Sequence, residues 1–147
     1  MLIIVTCLVA SRLPAAETNT TKFDIDHFLT EKKALIEEDL PLTEQEKQVF
    51  WPLYDNYMNE LVKLIKRRTA LTKEFRSKQK TLTDKQARAI IDEHFDIVSE
   101  SVKVQKSMRA KLRSKIPDIK ILNFFLLEEK IVAAYYYFLS EHIPQLK

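Results

Sequence analysis

The sequence predicts an all-α protein, and three observations carry that reading. The 147 residues include no glycine, the residue that supplies positive-φ positions in hairpin turns, helix C-caps and phosphate loops. The pentapeptide "LTEQE" at 42–46 is echoed by "LTDKQ" at 82–86, each with the spacing of a helix start. After both copies, apolar residues recur at steps of three and four. The missing glycine also argues against nucleotide-binding loops and nucleophile elbows. With 46% apolar residues, the chain has material for one domain with its own core.

The first element is an apolar run, "MLIIVTCLVASRLPAAET", closed by small residues. Its apolar part, Met1 to Ala10, is too short to span a bilayer. It fits a secretory signal over residues 1–16, with cleavage after Ser11 or Ala16, and leaves 17–147 as a single all-α domain. No Lys or Arg precedes the run, so the true start of the signal stays open. A buried N-terminal strand and a lipoprotein cysteine at Cys7 are the other readings, and Thr6 is a poor neighbour for the latter. Cleavage removes Cys7, the only cysteine, and with it any thiol or disulfide chemistry.

Next, "FDIDHFLTEKKALIEEDLP" carries a weak helical stripe through Ile25, Phe28, Leu29, Leu35 and Ile36, ended by Pro41. The first pentapeptide then opens a long helix. Thr43 caps it and Glu46 reaches back to the Thr43 N–H, while Leu42 stands where a hydrophobic staple packs. Phe50, Tyr54, Tyr57, Leu61, Leu64, Leu71 and Phe75 mark its stripe to about Lys80, a length of about 55 Å, with Pro52 expected to kink its early part or shift its start. The second pentapeptide repeats the device with Leu82, Thr83 and Gln86. Its helix runs from Asp84 through Ala87, Ile91, Phe95, Val98, Val102, Gln105, Met108, Leu112 and Ile116 to Pro117. The short joint forces the two helices into an antiparallel hairpin. A last helix, "IKILNFFLLEEKIVAAYYYFLSEHIP", is apolar enough to read as core or dimer interface rather than membrane surface, because Glu128, Glu129 and Lys130 interrupt it. A hairpin alone cannot bury such stripes. The flanking helices or a second copy must cover them, and a homodimer is the economical solution.

Charge divides the chain. Residues 17–43 hold seven acids and three bases, whereas 44–116 hold 17 bases and ten acids. Hairpin pairing lays the basic 63–80 segment beside Asp84, Asp92, Glu93, Asp96 and Glu100, so part of the excess is spent on a helix seam. Lys103, Lys106, Arg109, Lys111, Arg113 and Lys115 have no acid among them and stay unbalanced.

Two LT-x-x-[QE] helix starts, an all-α chain and a signal-like N-terminus together resemble the LTxxQ-motif family of bacterial envelope proteins, the Spy/CpxP-type group. That group includes zinc-resistance-associated and sigma-factor-sensor members. The stretch "LTEQEKQVFWPLYDNY" is similar to members with a Phe-Trp-Pro-x-Tyr run after the first motif, and the likeness covers roughly residues 24–143. It departs in Glu46, which replaces Gln, and in the aromatic C-terminal segment. The resemblance implies a periplasmic, cradle-shaped hairpin dimer that binds partly unfolded envelope proteins without ATP, or receives a stress signal.

The candidate client surface comprises the cations Lys66, Arg67, Lys73, Arg76, Arg109 and Arg113 with Met58, Phe75 and Met108. Charge attracts a chain at long range, and adaptable apolar contacts then hold it. A sensor or adaptor, metal-responsive or linked to a sigma-factor system and bound to one membrane partner, is the alternative. No cofactor, nucleic-acid partner, catalytic set or membrane span in the mature chain is expected. His27, His94 and His142 are isolated, with no pair at helical spacing to hold a metal.

Overall fold

The computed structural model describes residues 25–140 as to backbone and 25–137 as to side chains; the proposed signal, Cys7 and His142 lie outside the described residues. Four helices account for the architecture: α1 (Ile25–Asp39), α2 (Glu44–Lys78), α3 (Asp84–Leu112) and α4 (Asp118–Ser140). No strand occurs among the described residues, so the chain is all-α. The hairpin packs α2 along α3, while α1 packs against α4.

Both long helices begin at the repeated pentapeptide. Thr43 and Thr83 are extended N-caps whose hydroxyls accept from the N–H of Glu46 and Gln86, each at 3.3 Å. The reciprocal bonds, Thr43 N–H to Glu46 Oε2 and Thr83 N–H to Gln86 Oε1, measure 2.7 and 3.0 Å. The first box sets the start at Glu44, and α2 continues through Pro52 without a break. Pro52 costs a backbone donor there, and its own carbonyl accepts from Asn56 Nδ2 at 2.9 Å. Helix α3 stops at Leu112, before Pro117. Ser114 turns the chain with φ 69°, a left-handed position that glycine would fill in a sequence containing any.

The core sits at one end of the hairpin, where Phe50, Tyr54, Tyr57 and Met58 of α2 meet Met108 and Leu112 of α3, Ile36 of α1 and Phe124 of α4. Phe50 and Tyr57 present ring edges to Phe124, with centroids 5.2 and 5.9 Å apart. The α3 stripe read from the sequence therefore divides. Its C-terminal part, Met108, Leu112 and Ile116, is buried. Its N-terminal part is not: Ile91, Phe95, Val98 and Val102 are 53%, 63%, 36% and 41% exposed, and the neighbouring Ile97 turns inward instead. Neither α1 nor α4 covers that face.

Candidate functional site

The proposed client-surface residues are not gathered at one place. Met58 and Met108 are corrected from surface to core: both are buried in the aromatic cluster, where an unbranched thioether fills space between rings. Phe75 is half-buried. Arg67 forms the seam expected between the basic and acidic stretches. It donates Nε and Nη2 to Glu93 at 3.0 and 3.2 Å, and Nη1 to Glu100 at 2.6 Å. These hydrogen bonds, Glu93's first, raise the guanidinium's affinity for its proton. Arg67 is thus a clamp across the hairpin. The exposed cations split into two groups. Lys66, Lys73 and Arg76 stand toward the α2–α3 turn, and Arg109 and Arg113 stand at the opposite end of α3. With Arg67 level with Glu93 and Glu100, the two groups lie at least about 15 Å apart along the hairpin.

After Arg109 and Arg113 the chain exposes apolar residues that periodicity did not single out. One side of α4 buries Ile121, Phe124 and Glu128; the opposite side exposes Ile119, Leu122 and Leu126. These three recur at three and four residues and directly follow the unbalanced Arg109, Lys111, Arg113 and Lys115. A helix apolar all round gives no amphipathic signal, which is why the sequence reading assigned all of it to core or interface. The capping box of α2 anchors this corner. Glu46 Oε2, already accepting from Thr43, takes Lys120 Nζ at 2.6 Å and ties the start of α2 to the first turn of α4. Those bonds, Lys120's first, hold the Glu46 carboxyl below its ordinary range.

A buried polar triad lies beneath the same helix. Glu128 Oε2 accepts from Lys32 Nζ and from the Tyr57 hydroxyl, both at 2.8 Å, joining α1, α2 and α4. Lys32 and Glu128 side chains are each only 3% exposed. Sequence reading missed both, because a Lys and a Glu in helices normally face water. Burial first, and the Glu128 charge second, push the Tyr57 and Tyr54 phenols well above the ordinary range. The triad borders a cavity of about 100 Å³, whose lining includes Leu61, Ile97 and Ser101 and, 5.0 Å apart, the Arg68 guanidinium and the Tyr136 ring. That volume falls below the few hundred Å³ of ordinary small-molecule sites, so the triad reads as a tie between helices.

No family model, curated protein or solved structure matches this chain. The geometry must speak for itself. Among the described residues no group of three His, Cys, Asp or Glu is placed to hold a metal, and His94 is exposed with its ring 5.3 Å from Phe95. No helix of the described residues is long and apolar enough to cross a membrane. What the surface offers is two exposed apolar stripes, one on α3 and one on α4, the second preceded in the chain by four exposed cations.

Proposed function

We propose that the chain is an ATP-independent, chaperone-like binding protein of the bacterial envelope. It acts as a periplasmic homodimer of the LTxxQ type after loss of its signal. Its clients are unfolded or stress-exposed proteins. The observation that carries this reading is the outer face of α4. Ile119, Leu122 and Leu126 are exposed in helical register, and the exposed Arg109, Lys111, Arg113 and Lys115 precede them in the chain.

Such a face suits a disordered chain for physical reasons. A run of cations without acids raises the local concentration of acidic segments and speeds encounter, an effect that salt screens. The apolar stripe then offers shallow contact without a shaped pocket, so many sequences bind weakly and few bind tightly. Lys66, Lys73 and Arg76, on the far part of α2, extend the attraction along the hairpin rather than forming part of the same contact. Nothing in this mechanism calls on nucleotide or metal.

The test is suppression of aggregation. A chemically denatured protein is diluted into buffer with the chain, without ATP, at low and high salt, and light scattering is followed. Suppression at near-stoichiometric ratios, weakened by salt, is the expected result. No suppression for several unrelated clients would overturn the chaperone reading and assign the face to one dedicated partner, as a stress sensor or adaptor requires.

A further inference from the structure

We propose that the cavity where the four helices meet binds a small phenolic acid, its hydroxyl on Glu128 and its carboxylate at Arg68. Every helix contributes to the apolar wall: Phe28 from α1, Leu61 and Leu64 from α2, Ile97 from α3 and Val132 from α4. The deep end of that wall holds one unsatisfied atom. Glu128 Oε2 takes both bonds of the triad, from Lys32 and Tyr57, whereas Oε1 is buried with no partner. A buried carboxylate oxygen without a donor is costly, so an occupant that donates there gains a charge-assisted hydrogen bond.

The charges of the lining select the occupant. They are three: Lys32, Glu128 and Arg68. Lys32 already neutralises Glu128, so an ammonium at Oε1 would bury a surplus cation; a neutral hydroxyl adds the bond without the charge. Arg68 is left over. Its half-buried guanidinium lies 5.0 Å from the ring of Tyr136, which is 43% exposed and marks the open edge. The lining therefore carries one positive charge in excess, which suits a monoanion whose carboxylate stays at that edge. Two turns of α4, about 12 Å, separate Glu128 from Tyr136, so hydroxyl and carboxylate belong at opposite ends of an elongated molecule. Size sets the middle. A volume of about 100 Å³ excludes a drug-sized ligand but approaches the ~150 Å³ that admits a benzene ring, so one ring enters while the carboxylate remains at the edge.

This site goes beyond client binding and does not depend on it, since Glu128 lies on the buried side of α4 and the exposed stripe on the other. The triad remains a tie between helices, and its spare oxygen becomes the anchor. An occupant touches all four helices, so its binding to the folded chain alone should raise Tm.

The experiment is isothermal titration calorimetry of the full chain with 4-hydroxycinnamate, cinnamate and 4-hydroxycinnamamide, with helix content checked by circular dichroism. The first should bind once per chain and raise Tm. Cinnamate lacks the donor and the amide lacks the charge, so each should bind at least about tenfold more weakly. Arg68→Gln should erase the preference for acid over amide. Ser101→Leu fills the cavity from α3 with a good helix former and should weaken binding at least about tenfold at unchanged helix content. No saturable binding of 4-hydroxycinnamate at millimolar concentration would overturn the site and assign Oε1 to an ordered water. Equal affinity for cinnamate, or binding indifferent to Ser101→Leu, would overturn it as well. Equal affinity of the parent for acid and amide would overturn the role of Arg68.

Discussion

Replacing Glu128 by Ala should destabilise the fold by about 3–5 kcal/mol, because it strands a buried ammonium. Lys32 Nζ is held by Glu128 Oε2 at 2.8 Å, and neither side chain is more than 3% exposed. Without the carboxylate, the cation has neither water nor a counter-charge, and the Tyr57 hydroxyl loses its acceptor as well. Lys32→Ala leaves the converse fault, a buried carboxylate supported by Tyr57 alone, at a similar cost. Removing every polar partner behaves differently. In Lys32→Met/Tyr57→Phe/Glu128→Leu the desolvation cost disappears with the charges, and replacement of buried pairs by apolar groups of like volume is often neutral or stabilising by about 1–4 kcal/mol. The triple variant should therefore lie within about 1 kcal/mol of the parent or above it, despite carrying the harmful Glu128 change. Urea unfolding followed at 222 nm measures all four proteins, at one protein concentration so that any association contributes equally. In thermal melts Glu128→Ala should lower Tm by about 10–20 °C. Single variants that cost under about 1 kcal/mol, or a triple variant as unstable as Glu128→Ala, would refute the claim that this pair is desolvated and mutually dependent.

Two further outcomes follow from the helix starts and the buried phenols. Thr83→Ala removes the acceptor for the Gln86 N–H and should cost about 1 kcal/mol in urea unfolding, with helix content otherwise kept. Tyr54 and Tyr57 have folded pKa values raised above the unfolded value near 10, so the stability they contribute is complete below pH 10 and is lost as pH rises beyond it. An alkaline titration at 295 nm should show these two phenols ionising only as the helical signal collapses.

Much of the fold was legible because its signals are local. A capping box is written in four consecutive residues, so Thr43–Glu46 and Thr83–Gln86 located the starts of both long helices to the residue. Apolar periodicity identified which α3 residues share a line, but not what covers them. Ile91 and Met108 obey the same repeat, yet one is exposed and the other is core. Met58 and Met108 carry no mark that separates an adaptable surface from an adaptable core. The Lys32–Tyr57–Glu128 triad was invisible for a different reason: its members are spread over 96 residues and meet only when three helices close. The outer α4 stripe was hidden by the apolar character of the whole helix, since no polar face advertised which side would be left uncovered.

The central claim, that Ile119, Leu122 and Leu126 with the adjoining cations bind unfolded protein, is tested most directly by fluorescence anisotropy of a labelled, permanently unfolded protein titrated with the chain. The account predicts saturable binding without nucleotide, weakened by salt, and at least about tenfold weaker for Ile119→Glu/Leu122→Glu/Leu126→Glu at unchanged helix content. Equal binding by the parent and that variant would contradict it.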